Sequence, residues 1–334
     1  MTDATTTHPP KDLNLRKSPP LRHPQFPFGP AVKKQSRGRI ALAGPSGSGK
    51  TYTALALANG LGGSTAVIET VHGQASQYAD LFTFDVCPPL TYCSPETLVT
   101  ALAACAALGY ETVVIDSFSL FWAGPGGILE QVDDAAKRGS GGSNASGWKE
   151  VRPRERRMLD ALFAYPGNVV VTLRSAMDYV LEPDEQGRKH PRRVGGKPIA
   201  RDGIEYDFTF VASLDTDHTL VVNKALSPSL SGTVVHRPDA DFGTRIGSWL
   251  AEGQAVTPVE SVSSLVDRAR RPEATFNELG ELMRTVRARF LEEVQMPDDD
   301  ANEVETPIGL GAYIARRGTA LQATQGQNSG EHRP

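Results

Sequence analysis

The stretch "IALAGPSGSGKTYTALALANGL", Ile40 to Leu61, decides how this chain folds. Four apolar residues, Ile40–Ala43, lead into a Gly/Ser loop, and an alanine-rich apolar run follows Lys50. The order is strand, loop, helix. Gly44-Pro45-Ser46-Gly47-Ser48-Gly49-Lys50-Thr51 fits G-x-x-x-x-G-K-[ST] at every position. Each element has a physical reason. Glycines let successive backbone N–H groups turn inward around a phosphate, and the helix start adds its positive dipole end. Lys50 is placed to reach the β- and γ-phosphates, and the Thr51 hydroxyl to ligate Mg²⁺. The predicted cofactor-binding run is Gly44 through Thr51 with the adjoining Tyr52. A purely structural Gly/Ser turn is the alternative, and strand, lysine and hydroxyl together speak against it.

Further strand signals recur at Thr65–Glu69, Thr112–Asp116 and Asn168–Leu173, with helical stretches at Lys50–Leu61, Pro95–Leu108 and Trp148–Ala164. Short Val/Ile-rich runs suit a parallel sheet buried on both faces. The alternation predicts an α/β, mostly parallel twisted sheet flanked by helices. "TVVIDS", Thr112–Ser117, ends a β-branched strand in Asp116, a carboxylate placed to hold the water shell of a magnesium bound at Thr51. The runs "YDFTFVASLD" (206–215) and "HTLVVNKAL" (218–226) predict a hairpin turning at Asp-Thr-Asp.

The 334 residues carry a net charge of −4, so any basic surface is local. Cys87, Cys93 and Cys105 form no C-x-x-C pair; they read as reduced, buried thiols in a cytosolic protein. No apolar run reaches the ~20 residues of a membrane span. Residues 1–37, with seven prolines and seven Lys/Arg against two acids, predict a disordered basic arm. The core is expected over 38–253, a helical segment over 254–296 and a flexible acidic and polar tail over 297–334. In the helical segment Thr275 and Glu278 form a capping-box pair ahead of the stripe Phe276, Leu279, Leu282, Met283, Val286, Phe290.

A guanine-reading N-K-x-D is absent from the sequence, which argues against a GTPase. Gln186–Arg201, "QGRKHPRRVGGKPIAR", holds six Lys/Arg, one His and no acid. A basic loop there would grip a nucleic-acid backbone through Arg188, Lys189, Arg192, Arg193, Lys197 and Arg201. On charge alone, a solvated hairpin is an equal alternative. Trp122 and Trp148 bracket a Gly-rich stretch and read as core anchors before base-stacking groups. Asp133 and Asp134 lie within that stretch and weaken it as a phosphate binder.

The ordered set of P-loop, "VIETVHGQASQYAD", "IDSFSLFW", "GWKEVRPRERRMLDALFAYPGNVVVTLRS" and "RDGIEYDFTFVASLDTDHTLVVNKAL" resembles the phage-encoded RecA-like ATPases of the single-strand-annealing recombination group. The resemblance covers about residues 39–250. It implies a RecA-like P-loop NTPase core, ATP with Mg²⁺, single-stranded DNA as ligand, self-assembly as ring or filament, a single-stranded-DNA-binding protein as further partner, and the host cytoplasm. It also implies two DNA loops, at about Ala123–Gly147 and Ser175–Gly203. Its catalytic set maps to Lys50, Asp116, Glu69 and, across a subunit interface, Lys224. The family's usual catalytic glutamate falls at Val71, which cannot act as a base, so slow hydrolysis is expected and Glu69 is the nearest carboxylate. The position that usually senses the γ-phosphate falls near Leu173, with Thr172 and Arg174 beside it. A nucleotide-binding annealing scaffold with little hydrolysis is the alternative, and a small-molecule phosphotransferase the third reading.

Overall fold

The computed structural model describes residues 29–70, 73–138, 143–183, 189–296 and 307–330, without side chains for 177–183, 189–195 and 324–330. In chain order the core elements are β1 (Arg39–Gly44), α1 (Lys50–Leu61), β2 (Thr65–Glu69), β3 (Asp85–Val86), α2 (Pro95–Ala107), β4 (Thr112–Asp116), α3 (Ser119–Ala123), α4 (Ile128–Arg138), α5 (Asn144–Ala164), β5 (Asn168–Pro183), β6 (Lys189–Pro198), β7 (Phe210–Leu214), β8 (Thr219–Ala225), β9 (Val234–His236) and α6 (Ala240–Leu250). The main sheet runs β3-β2-β4-β5-β1-β7-β8-β9, with β6 paired to β5. Strands β3 through β7 of this order are parallel, and β8 and β9 are antiparallel additions. This is the α/β, mostly parallel arrangement expected from the sequence.

Each central strand is buried along its whole length. Ala41, Ile68, Val113, Ile115 and Val171 face α2 and α5, and Ile40, Leu42, Val67, Val114 and Val170 face α1 and α6. That two-sided burial is why these strands read as unbroken apolar runs. Helices α1 and α6 cross at glycines: a Cβ on Gly60 would meet the Ala240 carbonyl at 2.0 Å. At the foot of β1, Arg39 is buried and donates to the carbonyls of Gly38, Phe163, Tyr165 and Gly167, tying β1 to the turn before β5.

Several expectations need correction. The Gly-rich loop expected over Ala123–Gly147 is largely helix, since α4 fills 128–138 and α5 begins at Asn144; 139–142 lie outside the described residues. Ile128, Val132, Ala135 and Ala136 are buried at helical spacing. Gly147 is there for close packing, since a Cβ would lie 2.3 Å from the Val132 carbonyl. The second loop, Ser175–Gly203, is mainly a two-stranded hairpin, because β5 continues past Leu173 to Pro183 and pairs antiparallel with β6. Of the basic arm, residues 1–28 lie outside the described residues. Its last part is tied down, with Lys33 and Gln35 exchanging backbone hydrogen bonds with Gln254.

The C-terminal part comprises α7 (Val262–Arg270), α8 (Phe276–Ala288), the short pair β10 (Gln295–Met296) and β11 (Ile308–Gly309), and α9 (Leu310–Gly330). The capping box of Thr275 and Glu278 forms, and Leu279, Leu282 and Val286 are buried. Phe276 stays exposed, Met283 is partly buried, and Phe290 packs instead against the α2–α5 side of the core. The tail expected to be flexible from Pro297 is not so throughout. Leu310, Tyr313 and Ile314 of α9 are buried in the same cluster as α7 and α8, which docks on α2 through Ala103; 297–306 and 331–334 lie outside the described residues.

Candidate nucleotide site

The P-loop joins the end of β1 to the start of α1. Gly47 and Gly49 have φ of 77° and 82°, a left-handed backbone that other residues rarely adopt. Gly44 could carry no side chain either, as a Cβ would lie 2.6 Å from both the Leu214 carbonyl and Ser48 Oγ. Ser48 Oγ donates to the Pro45 carbonyl at 2.9 Å, and Lys50 Nζ donates to the same carbonyl at 2.7 Å. His218, in the β7–β8 turn, faces Gly49, with its Nδ1 3.0 Å from a Cβ built there. That turn is stapled by Asp215 Oδ1, which accepts from the Asp217 and Thr219 amides.

Asp116 ends β4, one strand removed from β1. Its Oδ2 accepts from Thr51 Oγ1 at 2.5 Å, and its Oδ1 accepts from the Thr172 hydroxyl of the intervening β5. Thr70 Oγ1 accepts from the Ser117 amide at 2.7 Å, locking the ends of β2 and β4 together. Burial lowers the Lys50 ammonium from its ordinary 10.5; the Asp116 carboxylate opposes this and the Arg174 charge adds to it.

Arg174, which the sequence placed only beside the γ-phosphate-sensing position, comes next to the P-loop itself. It ends the register between β5 and β1, directly opposite Gly44. Its amide donates to Ser119 Oγ at 2.8 Å. Its exposed side chain makes no hydrogen bond or ion pair among the described residues, and its charge is felt at Lys50 and Cys93. Only strand order, not local pattern, could have put an arginine beside the glycine loop.

The other expected site residues are less available. Glu69 is 1% exposed and its Oε1 accepts from the Ala75 amide at 2.8 Å, capping a single turn of 3₁₀ helix. Val71 and His72 lie outside the described residues. Tyr52 packs edge-on against Tyr78 and Phe82, at 5.9 and 5.3 Å between ring centroids. Lys224 Nζ donates to the carbonyls of Glu205 and Tyr206 on its own chain, at 3.0 and 2.7 Å. Arg188 lies outside the described residues, and of Lys189, Arg192 and Arg193 the backbone places only their positions on β6. Lys197 pairs with Asp202 at 2.7 Å and Arg201 with Asp207. Trp122 and Trp148 pack together, 5.9 Å between centroids, against the core.

The residues present fit a nucleotide with magnesium. The glycine backbone, the lysine and a hydroxyl paired to a carboxylate are hard-oxygen and cationic groups of the kind a Mg²⁺–phosphate unit takes. Gly44–Thr51 would hold the phosphates, and Thr51 with Asp116 the metal.

A glycine loop of this geometry on a parallel sheet, facing an acid from the next strand but one, defines a P-loop nucleotide-binding protein. Residues 36–234 match the family described as AAA domain, and the chain belongs to that family. Among solved structures, one titled "Crystal structure of the RadB recombinase" is similar over 61% of this chain and 90% of its own, at 18% identity and a TM-score of 0.37. No curated protein matches. Among the described residues no helix is long and apolar enough to cross a membrane.

Proposed function

We propose that this protein is an ATPase that binds ATP·Mg²⁺, turns it over slowly, and acts on single-stranded DNA as a homo-oligomer in recombination or replication of phage DNA. The contact of Thr51 with Asp116 beneath the glycine loop carries the nucleotide part. Bound Mg²⁺ neutralises phosphate charge. Lys50 adds a second cation, and Asp116 orients the Thr51 hydroxyl. Slow turnover is supported by Glu69, whose buried carboxylate already serves the Ala75 amide. The same observation favours the second reading, an annealing scaffold that uses ATP chiefly as an ordering ligand.

The DNA part is supported by β6, the basic arm of the β5–β6 hairpin, which pairs with the continuation of a core strand next to the P-loop; the other arm carries Asp178 and Glu182. Oligomerisation is supported by exposed Tyr206 and Leu226 (80% and 64%) close to Lys224. The deciding experiment measures ATP binding and hydrolysis with and without single-stranded DNA, in the wild type and in Lys50→Ala. Loss of ATP binding in the variant and stimulation of the wild type by DNA are expected. Equal ATP binding by both proteins defeats the phosphate site, and absence of DNA binding by the wild type defeats the DNA part.

A further inference from the structure

Helix α5 carries "WKEVRPRERR", Trp148–Arg157. Lys149, Arg152 and Arg156 are exposed and spaced by three and four residues, so they share one face over a rise of about 10 Å. Among the described residues none of the three makes a hydrogen bond or an ion pair. Their neighbours off this face do: Arg154 pairs with Glu96 and Glu150, and Arg157 with Glu292. The three cations border an open groove of about 1260 Å³ that also takes in Trp122, Trp148 and Arg201. The two indoles lie together at the N-terminal end of the helix, each part-exposed. Arg201 also lines the groove and is the last residue of the basic segment 186–201 that includes β6.

The floor explains why the guanidinium groups gather there. Glu155 is buried, its Oε1 stands 3.9 Å from Arg201 Nε, and neither atom has a hydrogen-bond partner. Buried polar atoms of this kind are rare in folded proteins and call for an explanation. A carboxylate under the groove holds Arg201 in place without saturating it. Among the lining side chains Lys149, Arg152, Arg156 and Arg201 stand against Glu155, Asp160 and Asp207, with Arg157 already paired to Glu292, so the groove is locally basic in a chain whose net charge is −4.

We propose that this α5 groove is a binding track for single-stranded DNA, with Lys149, Arg152, Arg156 and Arg201 meeting the backbone phosphates and the Trp122–Trp148 pair stacking a base. Lys149, Arg152 and Arg156, in a row without an ion pair among the described residues and beside aromatic faces, supply the two elements that sequence-independent single-strand binding needs; Arg201 is already paired to Asp207 and would contribute its remaining donors. A duplex offers no unstacked base to the indoles. The inference rests on the single-stranded-DNA part of the reading above, and adds a surface outside the P-loop and the hairpin.

The test titrates labelled oligo(dT) into the full-length protein across a salt series. Lys149→Ala/Arg152→Ala/Arg156→Ala should weaken binding at least tenfold and flatten the log–log salt slope by about 2, at roughly 0.7 per lost phosphate contact. The exchange Lys149→Arg/Arg152→Lys/Arg156→Lys should keep the slope. Oligo(dT) should quench tryptophan fluorescence, and Trp148→Phe should reduce that quench. Fluorescent ATP should bind all variants equally, which separates misfolding from loss of the track. If the wild type binds oligo(dT) and the alanine variant matches it in affinity and slope, the track is refuted while the DNA reading stands. If the wild type binds no oligo(dT), both are refuted. If oligo(rU) or poly-glutamate displaces oligo(dT) at equal concentration, the surface is a general polyanion site and the inference is refuted.

Discussion

Thr51 Oγ1 lies 2.5 Å from Asp116 Oδ2, joining the first turn of α1 to the end of β4 across 65 residues of sequence. The Thr172 hydroxyl holds the other carboxylate oxygen. The acid is therefore fixed from a helix on one side and a strand on the other, and it is buried.

Replacing that acid tests the metal assignment. Asp116→Asn keeps the shape and can still bond to both hydroxyls, but it removes the charge. ATP should still bind in the absence of Mg²⁺, while the gain in affinity on adding Mg²⁺ should shrink and hydrolysis should fall by about 10²-fold or more. An unchanged Mg²⁺ dependence would show that Asp116 is structural only.

Glu69 separates two accounts of turnover. Its carboxylate caps a backbone amide, so Glu69→Ala should cost about 1–3 kcal/mol of stability by leaving that amide unsatisfied. Hydrolysis per bound ATP should stay at the wild-type level. A fast wild-type rate that collapses in Glu69→Ala, with ATP still bound, would make Glu69 the base. Val71→Glu should raise the rate, since general-base help is typically worth ~10²–10⁴-fold.

Arg174 stands opposite Gly44 with no ion-pair partner among the described residues. If this guanidinium meets the terminal phosphate, its removal has a defined signature. Arg174→Ala is expected to lower kcat by about 10²-fold and to weaken ATP more than ADP. Equal weakening of both nucleotides would point to a distorted loop instead.

Arg39 concerns stability alone. Burial lowers its guanidinium to about 10, yet four backbone carbonyls depend on it. Arg39→Leu should destabilise the core by about 3 kcal/mol or more, because each stranded buried acceptor costs about 1–3 kcal/mol. Urea denaturation gives the value; a loss under about 1 kcal/mol would mean that water replaces the guanidinium.

Glu155 links stability to pH. Burial raises its carboxyl from the ordinary 4.5, with Arg201 and Arg152 opposing. The folded protein therefore holds this proton more tightly than the unfolded chain. Its contribution is complete below 4.5 and is lost as pH rises through the raised folded value. Glu155→Gln cannot titrate, so the variant should gain on the wild type as pH rises through that window. Denaturation midpoints that differ by a constant amount at every pH would contradict this.

The local signals in the sequence were enough for the elements that carry nucleotide chemistry. Strands buried on both faces must be apolar throughout, so β1, β2, β4 and the start of β5 were legible residue by residue. The P-loop was legible because its backbone demands glycine at 47 and 49, and α8 because a capping box lies within four residues. Features decided by packing between distant segments were not legible. Helix α4 has glycines on both sides, and what makes it helix is burial against α5 with Gly147 allowing the close approach. Helix α9 docks through Leu310, Tyr313 and Ile314 at its start, with Leu321 and the Arg317 bonds to the carbonyls of Ala269, Arg271 and Pro272 further along, and these partners lie on α7 and α8 and between them. The extension of β5 needed β6 as a ladder partner. Sequence alone determined that a phosphate loop and a strand-end acid exist. Tertiary structure decided that β5 lies between them, which sets Thr172 on the acid and Arg174 beside the loop, and it gave the Glu69 carboxylate the Ala75 amide as a partner. Strand order is fixed by which faces bury together, and no local window of residues contains that information.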